Sequence, residues 1–298
     1  MAISAADLRG VFTPIATPFN GDESLALCEL RRNLARWNET PLAGYVILGS
    51  NGESCMLDED EKLRVLRAAR KEIPGNKLMI AGIGEESTRH TITRTKQAAE
   101  IGADAALIVN PSYYKGMMSS LILTNYYFAI ADASPIPITL YNMPLATGID
   151  MSREVVLECS RHPNIIGMKD TSGNMPKMGE IISDVGENFA VLAGSMSFLL
   201  PALAIGAVGG ILALGNIAPA ECVELYELAM AGRLDQARAL HRRLLPVNQA
   251  ITARWGIGGL KAALEMRGWY GGPPRSPLTP LGDAQRAELA TIIRDAGL

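Results

Sequence analysis

Short, mostly apolar runs recur along this chain, each followed by a longer stretch in which apolar residues return every three or four positions. The runs lie at residues 11–15, 45–48, 78–81, 105–109, 138–141, 165–168, 190–193 and 208–212. Four or five such residues without regular polar alternation suit a strand buried on both faces. The stretches between them suit helices. At residues 58–72, Asp58 with Glu61 three positions on makes a capping-box start, and Leu63, Leu66, Ala69 and Ile73 keep near-helical spacing. Residues 24–38, 87–101, 119–133, 152–160, 174–184 and 219–231 read the same way, with turns such as Pro74-Gly75-Asn76 and Ile101-Gly102-Ala103-Asp104 between units.

Alternating apolar strands and helices predict a parallel sheet sheathed by helices, and eight units predict closure into an α/β (β/α)8 TIM barrel, typically of roughly 250 residues. The barrel is assigned to residues 1–232. Residues 233–298 carry helical stretches at 234–245 and 251–266 and a Gly/Pro-rich segment at 268–274, and are read as a C-terminal helical module. A doubly wound open sheet is the rival architecture. Its phosphate fingerprint is missing: Gly82-Ile83-Gly84-Glu85-Glu86-Ser87 follows a strand but lacks the third glycine, and its acids would repel a pyrophosphate.

Composition narrows the function classes. The chain has 298 residues, 48% hydrophobic and 20% charged, enough apolar surface for a large core. A net charge of −3 with interspersed signs offers no field for nucleic acid. No segment stays apolar for a membrane span, and Met1 to Arg9 has no basic run leading into an apolar one, so a cytoplasmic location is expected. Cys28, Cys55, Cys159 and Cys222 have no CxxC spacing and read as reduced thiols and small core residues. His90, His162 and His241 are far apart, without an i, i+4 pair, so no metal site is expected. A Gly-x-Ser-x-Gly elbow and a clear phosphate cradle are also missing, which disfavours a hydrolase and a pyridoxal phosphate enzyme.

Chemistry in such a barrel belongs at the C-terminal ends of the strands. There the chain places Gly49-Ser50-Asn51-Gly52-Glu53, Asn110-Pro111-Ser112-Tyr113-Tyr114, Tyr141-Asn142, Lys169 and Gly194-Ser195. Residues two apart share a strand face, so Gly167, Lys169 and Thr171 point into the mouth while Met168 and Asp170 point toward the helices. An ordinary lysine is neutral only about 0.04% of the time at pH 7. Desolvation among apolar strand ends favours the neutral amine, which with a carbonyl substrate gives a Schiff base. Tyr141, on the neighbouring strand, is a plausible proton relay. Glu53 reads as a turn-orienting or helix-start carboxylate.

Taken together, Gly49-Ser50-Asn51-Gly52-Glu53, Tyr141-Asn142-x-Pro144 and Gly167-Met168-Lys169-Asp170-Thr171 resemble the signatures of the dihydrodipicolinate synthase/N-acetylneuraminate lyase family of pyruvate-dependent class I aldolases. The resemblance implies a homotetramer built as a dimer of dimers, no cofactor, and Lys169 as the Schiff-base lysine for pyruvate or another 2-oxo acid. It makes Tyr141 the proton shuttle and gives the substrate carboxylate to Ser50 and Asn51, with Ser50 also linked to Tyr141. Tyr114 corresponds to a tyrosine that completes the relay across a dimer interface. Thr171, Gly194 and Ile211 fall where family members line the pyruvate pocket.

Lysine-pathway synthases carry an arginine shortly after Tyr-Asn-x-Pro, and this chain has Leu145-Ala146-Thr147-Gly148 there. Ala146 cannot make that bidentate contact. The Gly-Ser-Asn-Gly-Glu form, with Tyr113-Tyr114-Lys115-Gly116 and Trp269-Tyr270-Gly271-Gly272-Pro273, is similar instead to 4-hydroxy-2-oxoglutarate aldolases. Retro-aldol cleavage of that substrate to pyruvate and glyoxylate is therefore expected. The alternatives are a synthase condensing pyruvate with aspartate semialdehyde, with Lys115 as replacement cation, a 2-keto-3-deoxy-sugar-acid aldolase, or a non-catalytic 2-oxo-acid sensor.

Overall fold

The computed structural model describes residues 3–298, so the Met1 and Ala2 of the N-terminal reading lie outside the described residues. The strands are β1 (Gly10–Pro14), β2 (Gly44–Ile47), β3 (Leu78–Gly82), β4 (Ala105–Val109), β5 (Ile138–Asn142), β6 (Ile165–Asp170), β7 (Ala190–Ala193) and β8 (Gly209–Ile211). All pair in parallel and in sequence order, and β8 returns to β1 to close the barrel. The fold is the TIM barrel expected from the alternation.

Local chemistry explains the helix starts. Asp58 accepts from the Glu61 N–H at 2.8 Å while Glu61 accepts from the Asp58 N–H at 3.0 Å, so two unpaired donors of helix Glu59–Glu72 are satisfied reciprocally. Ser87, Ser119, Ser152 and Asn174 cap the helices Thr88–Ile101, Ser120–Ala133, Arg153–Ser160 and Met175–Asp184 more simply, each side chain accepting from one backbone N–H of the first turn.

Two apolar layers hold the barrel. Phe12, Val46, Ile80, Leu107, Leu192 and Ile211 fill its interior, with Leu8 of the turn Ala5–Leu8 joining them before β1. A larger layer lies between strands and helices, and the C-terminal residues Leu240, Leu244, Val247, Leu260 and Leu264 belong to it.

Several expectations shift. The helix expected from residue 24 begins at Leu27, because Leu25 pairs with Phe19 in an isolated antiparallel bridge. The helix expected to stop at 245 runs from Leu234 through Pro246 to Gln249, since burial of Leu244, Val247 and Asn248 outweighs the lost proline N–H. A π-helical stretch, Ala250–Arg254, follows, and helix Gly256–Met266 starts five residues after the expected 251. A last helix, Asp283–Asp295, has no counterpart in the sequence reading. Cys28 and Cys55 are exposed rather than core residues: one sits on the outer side of helix Leu27–Asn38 and the other in the surface turn Ser54–Met56.

Candidate active site

Adjacent strands β5 and β6 bring Tyr141 and Lys169 side by side, paired in register. Both are buried, at 5% and 4% exposure, and the Lys169 Nζ lies 4.2 Å from the centre of the Tyr141 ring. A lysine nitrogen is favoured over the negative face of an aromatic ring, which places the amine above the tyrosine. Among the described residues no carboxylate forms a salt bridge with Lys169.

Asp170 stays away from the amine for the reason strand alternation gave: it occupies the opposite face. Its Oδ1 accepts from Asn142 Nδ2 at 3.1 Å and from the Ser172 N–H at 2.7 Å. Asn142, fully buried, also donates to Asp150 Oδ1 at 2.8 Å and accepts from the Met151 N–H at 2.9 Å. Asn142 and Asp170 are themselves register partners. Their side chains therefore lock the stagger of the two strand tips from behind, while Tyr141 and Lys169 face the mouth.

The β2 loop supplies a third wall. Leu48 (φ 63°) and Glu53 (φ 54°) adopt left-handed backbone around the tight turn Ser50–Gly52. A Cβ on Gly82 would stand 2.6 Å from the Leu48 carbonyl oxygen, so only glycine lets β3 approach this turn. The result puts Ser50 Oγ 3.4 Å from Tyr141 Oη, with Asn51 half-buried beside it. Thr171 donates from Oγ1 to the Asn142 carbonyl at 2.6 Å, and the Gly194 N–H donates to the Asp170 carbonyl at 2.7 Å. Ile211 is buried in the barrel interior on β8. Ser50, Tyr141, Lys169, Thr171 and Gly194 thus share one end of the barrel. Tyr114 does not join them within one chain: it is 67% exposed, stacked edge-on against Tyr113 at 5.0 Å between ring centres.

Glu53 is the turn-orienting carboxylate of the two expected roles. It is 2% exposed and its Oε2 accepts from the backbone N–H of Arg275 at 2.8 Å. Its Oε1 lies 2.6 Å from the Nζ of Lys261. The sequence reading missed Lys261 and Arg275. A signal existed, since Lys261 is the one charge in Gly258-Gly259-Leu260-Lys261-Ala262-Ala263-Leu264, a helical run buried throughout. In the sequence Asn142 reads as a strand end and as part of the Tyr141-Asn142-x-Pro144 signature, with no role of its own. Among the described residues no three His, Cys, Asp or Glu side chains group as a metal site, and no helix is long and apolar enough to cross a membrane.

An eight-stranded barrel with a buried lysine at the tip of β6 is open to many chemistries, and comparison with known proteins places the chain among lyases and aldolases that form or cleave carbon–carbon bonds. Residues 7–296 match the model of the dihydrodipicolinate synthetase family, and the chain belongs to that family. It is 38% identical over 284 residues to a 4-hydroxy-tetrahydrodipicolinate synthase from an Exiguobacterium species, covering 95% of this chain and 96% of the relative. It is 37% identical over 299 residues to a probable mitochondrial 4-hydroxy-2-oxoglutarate aldolase from Emericella nidulans, covering 96% and 93%. A chloride-inhibited dihydrodipicolinate synthase from Acinetobacter baumannii, complexed with pyruvate, superposes with a TM-score of 0.93 at 31% identity, covering 97% and 99% of the two chains. The family is that of pyruvate-dependent class I aldolases and dihydrodipicolinate synthases, and the chain's relatives carry both names.

Proposed function

We propose that Lys169 is the Schiff-base lysine and that the preferred reaction is cleavage of 4-hydroxy-2-oxoglutarate. The observation that carries this reading is the buried Lys169 amine over the Tyr141 ring, on strands locked in register. Nζ attacks the C2 keto carbon, and loss of water gives an iminium. Tyr141 takes the proton of the C4 hydroxyl as its own phenolic proton passes on through Ser50 Oγ, the C3–C4 bond breaks, and the electron pair of that bond moves into the iminium to give an enamine while glyoxylate leaves. Protonation at C3 and hydrolysis, which consumes one water, release pyruvate and restore the amine. Backbone N–H groups at Ser50 and Asn51 would receive the substrate's C1 carboxylate, Ser50 Oγ would pass protons with Tyr141, and Thr171, Gly194 and Ile211 would shape the space beside the methylene carbon. No cofactor enters the scheme.

The aldolase reading is supported by the Emericella relative and by Ala146, which offers no cation to a second carboxylate. A specific observation favours the condensing synthase as second reading: the Lys115 Nζ lies 3.5 Å from where a Cβ on Gly148 would stand, so a cation does lean over the β5 loop. The Exiguobacterium synthase supports the same alternative.

Oligomeric state and compartment belong to the same proposal. Exposed Tyr113, Tyr114, Met117 and Leu121 suit a homotetramer in which Tyr114 reaches a neighbouring copy's site. A cytoplasmic location, and a division into a barrel at 1–232 and a module at 233–298, complete it.

Borohydride trapping with pyruvate, followed by peptide mass mapping, tests the core. A reduced adduct on Lys169, lost in Lys169→Ala, is expected; an adduct elsewhere, or none, refutes it. Parallel turnover with 4-hydroxy-2-oxoglutarate and with pyruvate plus aspartate semialdehyde decides the substrate, and faster use of the second pair overturns the aldolase assignment.

A further inference from the structure

Lys261 and Glu53 are as thoroughly buried as any ion pair in the protein, each side chain at 1% exposure. Lys261 also donates to the Pro273 carbonyl at 2.9 Å and stands 4.3 Å over the Phe19 ring centre. Burial pulls its ammonium below the usual lysine range, against the opposing pull of Glu53. Desolvating two charges is costly, and an apolar pair could join a helix to a barrel without that cost. What an ion pair adds is directional hold.

The held object is a turn that needs holding. Glu53 is a non-glycine residue in left-handed backbone, φ 54° and ψ 35°, and its N–H closes the turn onto the Ser50 carbonyl at 3.1 Å. Such a conformation persists only where the surroundings impose it. Thr17 grips the turn on its other side, donating from Oγ1 to the Gly52 carbonyl at 2.7 Å. Arg275 completes the cage: its backbone N–H binds Glu53, while its guanidinium takes Glu61 at 2.6 and 2.7 Å and the Met56 carbonyl at 2.9 Å.

We propose that Lys261 is a positioning residue: through Glu53 it fixes the Ser50–Gly52 turn in the shape that receives the 2-oxo acid carboxylate, so that a C-terminal helix sets the substrate affinity of the barrel mouth. This rests on the Schiff-base reading for the identity of the ligand. The geometry separates it from simple stapling, because Arg267 also joins the C-terminal segment to the barrel, its Nε donating to the Ile217 carbonyl at 3.1 Å, yet it takes no part in the cage around Glu53.

The test compares wild type, Lys261→Met, the neutral pair Glu53→Gln/Lys261→Met, and Arg267→Met as the stapling control. Two readouts are taken on folded protein: the pyruvate concentration giving half-maximal borohydride trapping, and hydrogen exchange of the amides at residues 50–53. Lys261→Met is expected to raise half-saturation about tenfold while saturated trapping stays within about threefold, the signature of lost binding without lost chemistry. Exchange at the turn is expected to quicken by about tenfold. Should the single variant fail to fold, the neutral pair must show the same two changes; Arg267→Met, even with lower thermal stability, must show neither. Unchanged half-saturation in any folded variant lacking Lys261 overturns the proposal, as does unchanged exchange. Failure of wild type to form an adduct would refute the Schiff-base assignment instead, leaving exchange to decide whether Lys261 holds the turn.

Discussion

Replacing Tyr141 by phenylalanine removes one oxygen and leaves the rest of the site in place. Among the described residues the hydroxyl's contact is with Ser50 Oγ at 3.4 Å, and so long a hydrogen bond contributes no more than about 0.5 kcal/mol net. The ring, 5% exposed, keeps its packing and its place beneath the Lys169 amine, so no cavity forms. Stability is therefore expected to change by less than about 1 kcal/mol, or roughly 2–4 °C in Tm. Turnover should behave differently. A positioned proton-transfer group contributes about 10²- to 10⁴-fold, which is roughly 2.7–5.4 kcal/mol of barrier. The Tyr141→Phe enzyme should keep a near-normal melting curve, form the borohydride-trapped adduct slowly, and lose at least about a hundredfold in kcat. Turnover within about threefold of wild type at unchanged Tm would remove Tyr141 from the mechanism. A large fall in Tm would instead show that the hydroxyl is structural.

Further outcomes follow from other contacts. A Cβ at position 194 would stand 2.1 Å from Thr171 Cγ2 and 2.7 Å from the Asp170 carbonyl oxygen, so Gly194→Ala should cost about 1–3 kcal/mol and weaken adduct formation; an unaltered Tm would contradict that close approach. The Glu61 carboxylate is held below its ordinary value of 4.5, first by its hydrogen bonds from Arg275. A carboxylate depressed on folding contributes stability that is present above pH 4.5 and lost as pH falls below it. The difference in urea midpoint between wild type and Arg275→Met should thus be larger at pH 6 than at about pH 3; a gap independent of pH would show that the pairing does not matter to folding.

The strands were legible because a parallel barrel strand is buried on both faces, and eight apolar runs became eight strands within two residues at either end. Caps were legible for a local reason: Asp58 and Glu61 satisfy each other three residues apart. Helix Asp283–Asp295 was not, because it buries only Leu289 and Ile293 and shows polar residues elsewhere, so its periodicity is faint. Pro246 hid the full length of its helix, since propensity ends a helix where packing continues it. In the site, alternation along β6 located Lys169 and turned Asp170 away, but the partners of Glu53 lie more than two hundred residues downstream. A pairing across that distance is a product of the fold: the lone charge in an apolar helical run marks Lys261 as buried, but nothing local names its partner. Cys28 and Cys55 show the converse, small residues placed on the surface without any cue in their neighbours.

The Tyr141–Lys169 pair stands on adjacent hydrogen-bonded strands clamped by Asn142 and Asp170, whereas Leu145, 89% exposed, Ala146 and Lys115 ride on the loops above. A protein divided in this way can be altered in two registers. Under the proposed mechanism, libraries confined to residues 115–118 and 144–148 could present new acceptor aldehydes to an unaltered enamine, since neither Tyr114 nor any main-chain hydrogen bond of the β5–β6 ladder would be disturbed. The same division gives natural lineages room to exchange one carbonyl partner for another by loop drift while the amine and its tyrosine stay fixed.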